Sequence, residues 1–295
     1  MSSFQTDQLR TFLAVLEHGT FDAAAKELCV SASAVSQRIK AMEQAAGQVL
    51  LVRATPVRST AAGMAVQKLA RQLRQLESDC AAELGLGGKP GAAIAMAVNA
   101  DSLATWFIDA LGAVPASERH SFEVLREDEQ HSAALLRSGE VMAAVTATSD
   151  PVQGCSVRYL GALEYKAVAS AEFMTRFFPA GFDSSLLSAA PVVQFDRTDT
   201  LQSNFFKALT NGSLTGSQRF IPDPSTFAVA IEHGLGWGLL PEANCREGLG
   251  SGKLVELVPG LTTRIPLYWQ RWKIQSPALD ALTAAVTTTA AAALS

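Results

Sequence analysis

At residues 85–92 the chain reads Gly-Leu-Gly-Gly-Lys-Pro-Gly-Ala, and apolar residues follow different rhythms on its two sides. Before it they recur every three or four positions, as in amphipathic helices; after it, short β-type runs alternate with helical segments. Four glycines and a proline in eight residues read as a helix stop followed by a linker. The chain is therefore expected to fold as a small helical module joined to a larger α/β part with a mostly parallel sheet.

Charge divides at the same place. Through Lys89 there are 10 Lys and Arg against 8 Asp and Glu, net +2. From Pro90 onward there are 14 against 20, net −6. The whole-chain value of −4 would argue against a nucleic-acid partner, but it averages a mildly basic front end with an acidic remainder. At 295 residues, 48% hydrophobic and 18% charged, the chain has material for two folded parts and too little charge for disorder. No apolar run approaches the roughly 18 residues of a membrane span. The start, MSSFQTDQLRTF, reads as no secretory signal, so a cytoplasmic protein is expected. Cys29, Cys80, Cys155 and Cys245 lie far apart, which suits reduced thiols rather than a disulfide framework or zinc site.

In the front end, a helix from Asp7 buries Leu9, Phe12, Leu13, Val15 and Leu16 and stops at Gly19. Thr20 caps a second helix, Phe21–Leu28, and after a break at Cys29-Val30-Ser31 a third runs from about Ser33 to Ala46. Two short helices joined by so tight a turn make a helix-turn-helix. With Val30, Val35 and Ile39 turned inward, the third helix presents Ser33, Ser36, Gln37 and Lys40, with Arg38 to one side. These side chains have the length and chemistry to reach base edges and phosphates, although any small three-helix domain has a solvated face. The next segment favours DNA. Val49–Arg53 is a short strand, Pro56 marks a turn and Arg58-Ser59-Thr60 returns, so Arg53 and Arg58 sit on a hairpin wing suited to phosphate contact.

The stretch from Leu9 to Gly63, with FLAVLEHGTFDAAAKELCVSASAVSQRIK and VLLVRATPVRST, resembles the winged helix-turn-helix of LysR-type transcriptional regulators. The resemblance implies base reading by Ser33, Ser36 and Gln37 and wing contacts by Arg53 and Arg58. One departure is Ala32-Ser33 where many members have Gln-Pro, so the operator does not transfer from relatives. From Thr60 to Leu84 the pattern is one long helix with Val66, Leu69, Leu73, Leu76 and Cys80 spaced 3-4-3-4. That is an a/d seam, expected to pair with a second copy in a homodimer or a homotetramer so that two wings meet a two-fold operator.

Beyond the linker, Ala93–Val98, Phe122–Arg126, Val141–Thr146, Glu164–Ala169, Val192–Phe195, Gly238–Leu240 and Leu267–Trp272 read as strands. Helices are expected at Leu103–Leu111, Ser132–Ser138, Gln202–Leu209, Pro224–His233 and Pro277–Ala293. VAIEHGLGWGLLP (Val229–Pro241) is similar to a corner of LysR-type effector domains, which implies two periplasmic-binding-protein-like α/β lobes around a ligand cleft. The expected division is a reader over residues 1–60, a dimerising helix and hinge over 61–90, and an effector domain over 91–295. Its lobes would be about 91–162 with 268–295, and about 163–267. NADSLATW (Asn99–Trp106), with LYWQRW (Leu267–Trp272) and the front-end motifs, resembles the LysG/ArgP branch. That implies a sensor of L-lysine or L-arginine controlling an amino-acid exporter or related metabolic genes, with RNA polymerase as partner if it activates.

The candidate effector residues begin with Asn99, Ala100, Asp101, Ser102 and Thr105, at a helix start suited to a ligand carboxylate. Glu127, Asp128, Thr146 and Asp196 follow at predicted strand ends, where open α/β sheets bind ligands; the acids would meet a cationic side chain. Ser225 and Thr226 open another helix after Pro224. Helix capping explains Asp101, Ser102, Ser225 and Thr226 equally well, and solvated surface explains the other acids. Catalytic machinery is not expected: GLGWG (Gly234–Gly238) follows a helix rather than a strand, no G-x-S-x-G elbow occurs, and the histidines form no H-x-x-x-H pair. No cofactor or metal is expected. The rival readings are a LysR-type regulator with another effector, a nucleoid-type binder that inhibits replication initiation, and a solute-binding module.

Overall fold

The computed structural model describes residues 4–86, 93–116, 121–127 and 129–295. The greater part of the glycine-rich linker (87–92) and Asp128 lie outside the described residues. The chain forms two compact units. One holds the residues up to Val98, Val114–Arg158 and Trp269–Ala284; the other holds Asn99–Ala113, Tyr159–Tyr268 and Ala285–Ser295.

The front of the first unit is α1 (Thr6–His18), α2 (Phe21–Glu27), α3 (Ala32–Ala46), a hairpin of β1 (Leu51–Val52) and β2 (Arg58–Ser59), and α4 (Ala61–Glu83). Hydroxyls start three of the helices: Thr20, Ser31 and Thr60 accept from the amides of Ala23, Ala34 and Gly63. Gly19 and Gly47 end α1 and α3 in the left-handed conformation. The apolar faces of α1 to α3 close over Phe12, Val15, Ala24, Val35, Ile39 and Met42, and Leu50 and Leu51 join them from the wing. Val66 and Ala70 of α4 belong to the same cluster, so this core extends past residue 60. Gly63 allows that approach: a Cβ there would lie 2.0 Å from the Leu50 carbonyl oxygen.

The order then runs β3 (Ile94–Val98), α5 (Ala100–Ser102), a π-helical stretch (Leu103–Phe107), α6 (Ile108–Gly112), β4 (Phe122–Arg126), α7 (Glu129–Ser138) and β5 (Ala143–Thr146). Next come β6 (Cys155–Ser170), α8 (Ala171–Phe177), α9 (Ser184–Leu187), β7 (Val192–Gln194), α10 (Leu201–Thr210) and β8 (Gln218–Phe220). The chain closes with α11 (Pro224–Glu232), β9 (Gly238–Pro241), α12 (Glu242–Ser251), β10 (Leu254–Glu256), β11 (Thr262–Trp272) and α13 (Pro277–Ala293).

In the first unit β3 is flanked by β4 and β5, both parallel to it, which is the βα pattern expected. In the second, β6 pairs antiparallel with β9 and β10, and β7 pairs parallel with β8. The core of the second unit gathers Val168, Val193, Phe227, Ile231, Leu240 and Leu254. Three expectations change. A mostly parallel sheet was expected, but the pairing of β6 with β9 and β10 is antiparallel, because these strands do not follow one another through βα crossovers. β6 is 16 residues long where Glu164–Ala169 was read, because its first half, Cys155–Ala162, mixes buried apolar residues with the exposed Arg158 and Tyr159 and a glycine at 161, without the alternation that marks a strand. The helices α8 and α12 were not anticipated; Gly248 and Gly250 inside α12 lower its helical propensity. Among the described residues no helix is long and apolar enough to cross a membrane, and no group of three or more His, Cys, Asp or Glu is placed to hold a metal.

Candidate functional site

The third helix of the front module carries one candidate surface. Ser31 caps it and lies 2.9 Å, hydroxyl to hydroxyl, from Ser33. Val35, Ile39 and Met42 are buried on one side, which leaves Ser33, Ser36, Gln37 and Lys40 exposed on the other. Arg38 departs from that set. Its guanidinium donates to the Thr11 hydroxyl at 3.1 Å and lies 3.7 Å from the Asp7 carboxylate, so it braces α3 against α1. The wing hairpin pairs Val52 with Arg58. Arg53 follows β1 with its guanidinium 5.7 Å from the centre of the Phe21 ring, and both wing arginines are exposed. The surface therefore offers hydroxyls, an amide and three cations on a rigid helix–wing frame, which suits phosphate positioning and base-edge reading.

The second candidate lies in the second unit, where the chain leaves β3. Asn99 caps α5, its side chain accepting from the Ser102 amide at 3.3 Å. Ala100 follows as the first residue of that helix. Asp101 is half-buried and accepts from the Tyr165 hydroxyl at 2.7 Å. Burial pushes its carboxyl above the ordinary carboxylate range, the Tyr165 hydrogen bond opposes that shift, and the charge of Asp199 adds to it. The Ser102 side chain is fully buried, and its Oγ has no hydrogen-bond partner. Trp106, in the π-helical turn, is 3% exposed with an unpartnered indole nitrogen. Thr105 differs, because its hydroxyl donates to the Asp101 carbonyl at 2.7 Å and is satisfied within the helix. π-helical turns recur at functional sites, and buried orphan donors and acceptors mark places where a guest can supply the missing partner.

The other candidates are placed differently. Asp196 accepts from the Thr198 hydroxyl and from the amides of Thr198 and Asp199, which hold its carboxyl below the ordinary range. It builds a turn. Ser225 and Thr226 are exposed, and the cap of α11 is Asp223, which accepts from the Thr226 amide at 2.9 Å. In the first unit Glu127 follows β4, its amide bonded to the Val98 carbonyl. Thr146 is buried, accepting from Gln270 Nε2 and donating to the Thr148 carbonyl, both at 3.2 Å. On α4, Leu69 and Leu76 are 46% and 42% exposed and Cys80 is exposed, whereas Val66 is taken up by the module's own core and Leu73 packs partly against it.

Comparison with known proteins decides the family. The model described as "Bacterial regulatory helix-turn-helix protein, lysR family" matches residues 6–64. The one described as "LysR substrate binding domain" matches residues 118–291. The chain belongs to the LysR family. The crystal structure of ArgP from Mycobacterium tuberculosis is similar to it, with a TM-score of 0.90 and 41% identity over 97% of each chain. The full-length LysG of Corynebacterium glutamicum with bound effector Arg is similar at a TM-score of 0.82 and 34% identity, over 98% of this chain and 99% of that one. The lysine export transcriptional regulatory protein LysG of Corynebacterium glutamicum is 36% identical over 282 residues, 95% of each chain.

In this LysR-family chain the winged helix-turn-helix and the α/β effector domain expected from the sequence are both present. Of the effector candidates, Asn99, Asp101 and Ser102 come together. Sequence reasoning missed Tyr165 and Asp199. Tyr165 sits in a strand, 64 positions from its Asp101 partner, and no local motif announces so distant a hydrogen bond. Asp199 lies in a Asp-Arg-Thr-Asp run that reads as solvated turn, yet its carboxylate accepts from the amides of Phe195 and Leu201.

Proposed function

We propose that this LysR-family chain is a cytoplasmic transcriptional regulator that binds promoter DNA and senses a basic amino acid, L-lysine or L-arginine. The reader spans residues 1–60, the dimerising helix and hinge 61–90, and the sensor 91–295. Ser33, Ser36, Gln37 and Lys40 read and position the duplex, and Arg53 and Arg58 hold its phosphates. A homodimer forms along the face of α4 that carries Leu69, Leu73, Leu76 and Cys80. The genes controlled are those of amino-acid export or related metabolism, and RNA polymerase is the further partner where transcription is activated. No chemical step and no cofactor belong to this reading.

The observation that carries the effector assignment is the half-buried Asp101 carboxyl beside the orphan Ser102 hydroxyl. A guanidinium or ammonium group at Asp101 would compensate its desolvation, and Ser102 Oγ would gain a partner in the ligand's carboxylate. The arginine bound to the LysG of Corynebacterium glutamicum supports the same ligand class. The ligand acts by differential affinity for two arrangements of the regulator. Mobility shifts on the regulator's own promoter region, with and without lysine, arginine and a neutral amino acid, test this. Retarded duplex with a response confined to the basic amino acids is expected. No retardation at low salt would remove the DNA reading, and equal responses to neutral and basic amino acids would remove the effector assignment.

A further inference from the structure

Within the first unit, a cavity of about 530 Å³ opens where α4 meets α1 and the strands β3 and β4. Glu17, Arg71, Arg74, Gln75, Glu123 and Glu140 bring its polar groups. Arg74 is engaged, its Nη1 donating to both carboxylate oxygens of Glu17 at 2.8 and 3.1 Å. Arg71 is engaged in part: Nη1 donates to the Gly139 carbonyl at 2.8 Å, while its buried Nε has no partner. Gln75 is 1% exposed; its Nε2 donates to Asp79 at 2.9 Å and its buried Oε1 accepts nothing. An unpaired donor and an unpaired acceptor thus stand on the same wall, a standing expense that a guest of matching chemistry removes.

The charges specify the guest. Two arginines and three glutamates leave the lining at −1. With the Arg74–Glu17 pair set aside, Arg71 stands in the field of Glu140 and Glu123, again −1. A molecule with one carboxylate and two cationic ends carries +1 and neutralises it, the carboxylate meeting Arg71 and the cations meeting the two glutamates. Ala93, Ala95 and Met142 supply apolar wall for an aliphatic stem between those ends. The volume falls within the range of about 300–1,000 Å³ usual for small-molecule sites.

We infer that this cavity is a second ligand site, built by the linker helix and the sensor sheet, for a basic amino acid. It is separate from the Asp101 site, which belongs to the other unit, and it rests on the proposed function only for the choice of probe. Because α4 also completes the reader's core, a guest here bears directly on the seating of the DNA-binding module.

Calorimetric titration of the full-length chain with L-lysine and L-arginine tests the inference. Two ligands per chain are expected. The exposed, isosteric pair Glu123→Gln with Glu140→Gln should weaken one of the two events at least about tenfold and leave the other unchanged. Arg71→Gln, from the opposite charge, should weaken the same event, and Asp101→Asn the other. Cadaverine, which lacks the carboxylate, should leave the cavity event absent. One ligand per chain, lost in Asp101→Asn, would overturn the second site and leave the proposed function standing. Two events that are both indifferent to Glu123, Glu140 and Arg71 would overturn it as well. No binding of either basic amino acid would overturn the site together with the effector assignment.

Discussion

Asp101 is held partly away from water and near Asp199, and its carboxyl stays above the ordinary range despite the 2.7 Å hydrogen bond from Tyr165. A carboxyl raised by folding contributes stability while protonated. That contribution is complete below the unfolded value, near 3.8, and is lost as pH rises through the folded value. Replacing Asp101 by Asn should therefore flatten this part of the dependence of unfolding midpoint on pH and also remove the binding event that basic amino acids make at Asp101, leaving the cavity event in place. Tyr165→Phe removes the hydrogen bond that favours the charged form; the carboxyl should move further up, with a loss of about 1–2 kcal/mol in urea unfolding at neutral pH. On the reader, Ser36→Ala should weaken operator binding by about 1 kcal/mol, near fivefold, while the ligand-induced thermal shift stays intact. Equal damage to both would point to misfolding. The exposed face of α3 was legible because helical spacing alone separates the buried Val35 and Ile39 from Ser36 and Gln37. Arg38 was not, since its bond to Thr11 depends on how α1 crosses α3. Tyr165 was hidden for the same reason: its partner is chosen by folding, not by neighbours in the chain.

Among the elements, α4 was read from Thr60 to Leu84 and observed as Ala61–Glu83, because both signals are local: a hydroxyl cap at Thr60 and a glycine at 85. What its heptad spacing could not reveal is that the first turns serve the reader's core while Leu69 and Leu76 stay outside. The same helix approaches the end of α7 closely. Gly139 has φ +77°, and a Cβ there would meet the Lys68 Cα at 2.7 Å. Gly139→Ala should thus destabilise the first unit by about 2–3 kcal/mol through backbone strain and overlap, measured by chemical denaturation. It should also displace the carbonyl that Arg71 grips. An effect within a few tenths of a kcal/mol would mean that α4 yields without resistance. The irregularly patterned first half of β6 and the glycine-bearing α12 were illegible for a shared reason: tertiary pairing overrides weak local preference in both.

For the whole molecule, the charge division at the linker acquires a location on the basic side. Of the ten Lys and Arg up to Lys89, Lys40, Arg53 and Arg58 stand exposed on the helix and wing of the reader, and net charge matters most once two readers act together. Leu76→Asp, on an exposed position of α4, should shift sedimentation from dimer to monomer and reduce operator affinity by far more than a single phosphate contact does. An unchanged sedimentation coefficient would place the self-association elsewhere. The two-part organisation and its α/β sensor were evident from the change in apolar rhythm, since periodicity is set by each element's own geometry. The burial of Val66, Gln67 and Ala70 in the first turns of α4 has a consequence for engineering. A chimera that grafts this reader onto a foreign sensor cannot be spliced at the end of the wing. The donor segment has to carry α4 as well, at least through the Arg74 and Glu77 ion pairs with Glu17 and Arg10, or the graft arrives with its core open.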